Sequence, residues 1–214
     1  MSYDRLYTEN HSHFGEAPDE LLVNWAHLLD PSLPILDVGC GQGRNPLYLA
    51  SLGISVDGVE PSGVAVKQLR TVAAAKGAEI RVHHAGFGDV DLPEGGHGAA
   101  MSFGLIPDLG LELIERLAPW MVGRVAPGGT VWLTGFTTED PALPHYAATW
   151  ETVGRNSFRG PDGQYRSYLE PGGVLDLVPN CEVIHHWEGL GPEHRHGDGP
   201  PERHGRFEAI FRKP

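Results

Sequence analysis

The residues Asp37-Val38-Gly39-Cys40-Gly41-Gln42-Gly43 close a short apolar run that begins at Ile35. Glycines placed straight after a buried strand let the backbone turn sharply and let a ligand lie against the main chain with no Cβ in its way. In open α/β sheets the carboxyl ends of the strands are where ligands bind. The spacing argues against two common ligands. A dinucleotide fingerprint needs a third glycine where Arg44 stands, and no G-x-x-x-x-G-K-[ST] run supplies the lysine and hydroxyl of a triphosphate loop. Glu60, 23 positions after Asp37, ends the next apolar run, Val56-Asp57-Gly58-Val59-Glu60. A carboxylate there can accept both hydroxyls of a ribose, and a cofactor without phosphates needs no cationic cradle. S-adenosyl-L-methionine meets both conditions.

These residues must be held by alternating strands and helices. Ile35 to Val38 reads as a buried strand, and Asn45 to Leu52 as the helix after it, with Pro46 tolerated in the first turn. Ser55 to Val59 is a second strand, followed by a helix that Ser62 begins and Gly77 stops after Lys76. Ile80 to His84 and Ala99 to Phe103 add strands, Leu109 to Val122 a helix kinked at Pro119, and Thr130 to Phe136 a fifth strand behind the turn Pro127-Gly128-Gly129. Residues 137 to 170 are rich in glycine, proline and aromatics. Glu182 to Trp187 and Phe207 to Phe211 are expected to form an antiparallel hairpin at a sheet edge, joined by the long polar stretch Glu188 to Arg206. The expected fold class is α/β.

Composition narrows the partners. The chain has 214 residues, enough for one domain with a full core, and its 29 glycines and 18 prolines forecast many turns. A net charge of −12 disfavours nucleic acid and anionic membrane surfaces. Small molecules are the expected partners, with the protein itself a monomer or homodimer. Two cysteines, Cys40 and Cys181, make neither a disulfide framework nor a zinc cluster. With no apolar run of ~20 residues and no basic-then-apolar start, the expected location is the cytoplasm. The histidines of the tail include the adjacent pair His185 and His186, which point to opposite faces of a strand, and no metal site is expected.

The segment ILDVGCGQGRN together with Glu60 resembles the class I S-adenosylmethionine-dependent methyltransferases, and a closer likeness, to the tellurite-resistance (TehB-like) methyltransferases, runs through LDVGCGQGRNPLYLASLG, SYLEPGGVLDLV and GPEHRHGDGPPERHGRFEAIFRKP. The resemblance implies a Rossmann-like domain over residues 1–214, with a seven-stranded, mainly parallel sheet, an antiparallel last strand and helices on both faces. It also implies a lid within residues 1–30 and an inserted segment, 137–172, near the methyl acceptor. Carried onto this chain, Asp37, Gly39, Cys40, Gly41 and Gly43 would hold the methionine part and Glu60, with Pro61 beside it, the ribose; Phe87 would lie beside adenine, with Phe103 and Gly104 as further neighbours. The acid usual after the third strand is replaced by Gly86, with Asp89 as a substitute, and Gly98 stands where a fourth-strand acid is common. Tyr7 and His11 would belong to the lid, and His194, Arg195 and Arg203 would stand near the acceptor.

Several readings stay open on the residues alone. Arg44 and Asn45 either cap a helix and carry a surface charge, or face the methionine carboxylate and anchor a neighbouring loop. Arg155, Arg159 and Arg166 are either scattered charges or an attractor for an anionic acceptor. In direct displacement the protein chiefly holds the two reactants at about 3 to 3.5 Å. A tellurium or selenium oxyanion would attack with its own lone pair, whereas a hydroxyl or amine must lose a proton, for which His194, His11 or His145 is a candidate base. Alternatives to that acceptor are O-, N- or S-methylation of a small organic metabolite, or a noncatalytic module that binds the cofactor or a partner.

Overall fold

In a computed structural model of the protein, residues 3–10, 12–193, 195 and 201–214 are described. The chain runs through α1 (Tyr3–Glu9), α2 (Glu20–Trp25), β1 (Ile35–Val38), α3 (Arg44–Ser51), β2 (Val56–Glu60), α4 (Gly63–Lys76) and β3 (Ile80–His84). There follow β4 (His97–Ser102), α5 (Leu111–Arg124), β5 (Val125–Phe136), α6 (Leu143–Thr149), β6 (Glu151–Gly154), β7 (Ser157–Arg159) and β8 (Tyr165–Ser167). The last elements are α7 (Gly173–Asp176), β9 (Glu182–Leu190) and β10 (Gly205–Arg212). Seven strands form one sheet in the order β3-β2-β1-β4-β5-β10-β9, and β6, β7 and β8 form a separate antiparallel sheet.

Strands β1 to β5 are parallel, and β10 runs antiparallel between β5 and β9. The strand order reverses at β1 and β4, the crevice where an open sheet takes its ligand. Alternate residues of β1 serve opposite layers. Leu36 and Val38 pack with Ile114, Leu117 and Met121 of α5 and Val174 of α7, whereas Ile35 packs with Leu21 and Leu22 of α2 and Leu49 of α3. Both faces are covered, so the central strands are apolar almost throughout.

Helix α5 runs unbroken from Leu111 to Arg124 with Pro119 on its exposed face, where water can take the place of the hydrogen bond its missing N–H would have made. One expectation is corrected in detail. The turn Pro127-Gly128-Gly129 does not precede β5 but lies inside it: Val125 already pairs with His97, and the register shifts before Ala99 meets Thr130. The extra residues bulge out of the ladder without ending it.

Beneath the sheet's ligand end, Asp57 of β2 is buried between two histidines and an arginine. Its Oδ1 lies 3.1 Å from His83 Nε2 and 3.2 Å from Arg81 Nη1, and its Oδ2 lies 3.1 Å from Nε2 of the fully buried His97. Burial raises the Asp57 carboxyl, but hydrogen bonds to His97 and His83 and the charge of Arg81 outweigh it and hold the carboxyl below its ordinary range.

Candidate active site

The loop after β1 is shaped by packing. Gly43 takes φ 94°, and a Cβ there would stand 2.2 Å from Leu69 Cδ1, so α4 seats directly on the loop only because the side chain is absent. Gly41, at φ 52°, offers its N–H to Glu60 Oε2 at 2.9 Å, while Glu60 Oε1 accepts the Ser62 N–H at 2.8 Å. The acid at the end of β2 is thereby fixed by the backbone on both oxygens. Burial raises the Glu60 carboxyl, and the bonds from Ser62 and Gly41 only partly offset the rise. Behind the loop, Asp37 is 2% exposed and its Oδ2 has no hydrogen-bond partner among the described residues. Burial, eased by Arg44 but reinforced by Glu60 and Asp19, pushes its carboxyl up to about 7.

The N-terminal segment is strapped across this loop. Gln42 accepts the His13 N–H at 3.0 Å and donates to the Asn10 carbonyl and Gln68 Oε1, each at 2.9 Å. Gln68 in turn donates to the Tyr7 carbonyl at 3.0 Å. The Tyr7 ring is buried, with its hydroxyl over Gly41, and Tyr3 bonds to Asp108. On the other side Asn45 Oδ1 accepts the Asp19 N–H at 2.9 Å, and Arg44 lies 3.5 Å from Asp19 Oδ2. Asn45 therefore anchors the stretch that leads into α2.

One cavity of about 1030 Å³ opens above the sheet. Its wall brings together Tyr7, Gly39, Cys40, Gly41, Gly43, Arg44, Asn45, Glu60, Pro61 and Phe103 of the residues singled out from sequence. Asp37 lies behind that wall. Gly86 and Phe87 are off it, the Phe87 ring being buried against Trp120 at 5.6 Å, and Asp89 is exposed. Arg195 is exposed, and Arg203 spends its Nε–H on the Gly191 carbonyl at 2.9 Å, so neither lines the cavity. His11 and His194 lie outside the described residues. Among the three arginines only Arg166 reaches the wall; Arg155 pairs at the surface with Glu170, Arg159 is exposed, and His145 is likewise exposed and off the cavity.

The far wall surrounds Arg166, one of the three arginines singled out from sequence, with residues that sequence reasoning missed. Arg166 Nη1 lies 3.1 Å from Asp108 Oδ1, and its guanidinium sits over the rings of Phe136 (5.8 Å) and Tyr146 (5.6 Å). Asp108 is raised by burial, which the charge of Arg166 and the bond from Tyr3 only partly counter. Tyr165, Tyr168, His204 and Arg206 complete this aromatic and cationic end. A sequence signal for them existed only as aromatic enrichment in 137–170 and as a histidine directly before the last strand.

The donor set fits an adenosyl sulfonium. Glu60, fixed at the strand end, retains lone pairs for a ribose diol. The acids Asp19, Asp37 and Glu60 around the loop suit a ligand whose sulfonium and ammonium are both positive. The loop-side cation Arg44 is paired with Asp19, leaving no phosphate cradle.

Residues 35–129, from β1 to the bulge in β5, match the family model described as a methyltransferase domain. Among solved structures, an S-adenosylmethionine-dependent methyltransferase from Methanosarcina mazei superposes with TM-score 0.75 at 19% identity, over 92% of this chain and 98% of its own. The fold is that of a class I methyltransferase. TehB from Haemophilus influenzae shares it at TM-score 0.73 and 18% identity, over all of this chain and 68% of its own. So does the CcbJ methyltransferase from Streptomyces caelestis, at TM-score 0.69 and 21% identity, over 99% of this chain and 96% of its own. No curated protein matches the sequence.

Proposed function

We propose that the protein transfers the methyl group of S-adenosyl-L-methionine to a small molecule held in the same cavity. The observation that carries this reading is the junction of Glu60 and Gly41: a ribose-binding acid locked by hydrogen bond to a phosphate-free glycine loop, opening into a cavity whose volume is at the upper end for small-molecule sites. That volume has room for donor and acceptor together. The bound cofactor supplies an electrophilic methyl on a sulfonium. The chain's own part is to orient it through Glu60 and the loop, to exclude water with Tyr7 and the strapped N-terminal segment, and to present the acceptor from the Phe136 and Tyr146 side. Positioning of this kind is where most of the rate gain in a displacement can come from.

A tellurium or selenium oxyanion is one acceptor class, supported by the sequence resemblance of the tail and by the likeness to TehB. Small organic metabolites are the other. Calorimetry with S-adenosylhomocysteine, followed by an acceptor screen with tritiated methyl donor, tests the reading. Binding and transfer to at least one acceptor are expected; no binding removes the reading, and binding without transfer to any acceptor leaves a noncatalytic module.

A further inference from the structure

The acceptor end of the cavity holds a pair of side chains that cofactor binding does not use. Asp140, in the turn after β5, has a side chain wholly out of solvent; its Oδ1 accepts the Ala142 N–H at 2.8 Å, and its Oδ2 lies 2.8 Å from His204 Nδ1. His204 lines the cavity directly before β10, its ring stacked on Phe136 at 4.2 Å and 18°. The next residue is Gly205, where a Cβ would stand 2.4 Å from the Asp140 nitrogen, so the two chain segments meet this closely only because glycine is there. A carboxylate offers only lone pairs, so a hydrogen shared between the two sits on Nδ1, while the other ring nitrogen, Nε2, lies 3.9 Å from Oε2 of the partly exposed Glu202.

We propose that His204, oriented by Asp140, is the general base of the methyl transfer, and that the acceptor is a hydroxyl on a flat aromatic molecule. This rests on the methyltransferase reading above. A chalcogen oxyanion has nothing for a base to remove. A neutral amine attacks with its own lone pair and sheds its proton afterwards. An aromatic hydroxyl, with an ordinary pKa near ~10, must lose its proton as it attacks, which is what a carboxylate-oriented imidazole provides. The rings of Phe136, Tyr146 and Tyr168 supply a wall for a planar acceptor, and Arg166, whose buried Nε has no partner, puts positive charge beside the forming oxyanion. In the step, the hydroxyl oxygen bonds to the methyl carbon, and the carbon–sulfur bond breaks with its electron pair left on sulfur. The hydroxyl proton passes to His204 Nε2, and the imidazolium beside Asp140 later releases it to solvent.

Two measurements test this. Nitrogen-15 NMR of the wild-type histidines with S-adenosylhomocysteine present should show His204 as the Nδ1–H tautomer, altered in Asp140→Asn; an Nε2–H tautomer overturns the proposal whatever the activity. In turnover, a panel of substituted phenols of graded acidity is run beside tellurite and selenite. His204→Ala and His204→Gln should lower kcat by ~10²–10⁴ on weakly acidic phenols, and by progressively less on phenols already ionised at the assay pH, with S-adenosylhomocysteine affinity unchanged. A loss independent of phenol acidity, unchanged turnover, or transfer to tellurite or selenite but to no hydroxyl overturns it. Failure of the wild type to bind S-adenosylhomocysteine sinks the methyltransferase reading itself, whereas binding and transfer indifferent to His204 sink only the base.

Discussion

Glu60 and Gly41 are joined by a 2.9 Å hydrogen bond from the loop N–H to the carboxylate, so the acid proposed to grip the ribose also sets the shape of the glycine turn. Glu60→Gln keeps an acceptor for one backbone N–H but brings a donor amide to the other. A charged hydrogen bond contributes ~1.5–3 kcal/mol, so S-adenosylhomocysteine affinity should fall by roughly 10- to 100-fold, measured by calorimetry. An affinity within twofold of wild type would remove Glu60 from the cofactor site.

Asp37 yields a pH dependence. Its folded carboxyl titrates at about 7, far above the ordinary carboxyl range, so the ligand-free fold favours the protonated form and loses that advantage as pH rises through the folded value. A cationic ligand at the loop favours the ionised form instead. Cofactor binding should therefore strengthen as pH rises from 6 to 8 and should release protons at pH 6, read as a buffer-dependent calorimetric heat. Asp37→Asn should raise the melting temperature of the ligand-free protein at pH 8 and flatten the pH dependence.

Gly43 is a steric requirement. An alanine there meets Leu69 of α4 at contact distance no real Cβ tolerates, and at φ 94° it is strained as well. Overpacking and backbone strain each cost ~1–3 kcal/mol. Gly43→Ala should lower Tm by roughly 5–15 °C at the ~2–4 °C per kcal/mol expected for a domain of this length, by calorimetric scan. A Tm within 2 °C of wild type would show that the loop and helix are not in the contact described.

The Asp57 cluster governs acid stability. Because its folded carboxyl lies below its ordinary value, its contribution is present above that value and is lost as pH falls through the folded one. Asp57→Asn should destabilise the protein at pH 7, where His97 is left buried without its carboxylate, and the difference from wild type should shrink below pH 4. Urea denaturation at both pH values measures it.

Gln42 ties the glycine loop to the N-terminal segment by two direct hydrogen bonds, to His13 and Asn10, and by a third through Gln68, which itself holds the Tyr7 carbonyl. Gln42→Ala should speed amide hydrogen exchange in residues 3–10 while leaving the central strands protected, since those bonds join the strap to the domain and not the domain to itself. Uniform loss of protection across the sheet would contradict this.

Strand and helix succession was legible wherever period and punctuation agreed. Ile80 to His84 matches β3 residue for residue, and Gly77 ends α4 in the left-handed conformation its position forecast. Boundaries slipped where a turn signal lies inside a ladder: Pro127-Gly128-Gly129 looks like a break, yet β5 begins at Val125 because the facing strand β4 holds it there. The hairpin of β9 and β10 was legible, but its reach, to Leu190 and from Gly205, came from pairing across the sheet rather than from hydrophobic alternation.

The sequence by itself determined the glycine-loop end of the cavity: the glycine run and Glu60 are bound to consecutive strand ends, so spacing along the chain already specifies their meeting in space. Only the tertiary structure decided the far wall of the cavity. Asp140 and His204 are 64 residues apart, one in the turn after β5 and the other in the connection just before β10, and they meet because β10 returns antiparallel beside β5 and Gly205 lets the backbones touch. No local periodicity encodes a contact made by two segments that come together only once the sheet has closed its order.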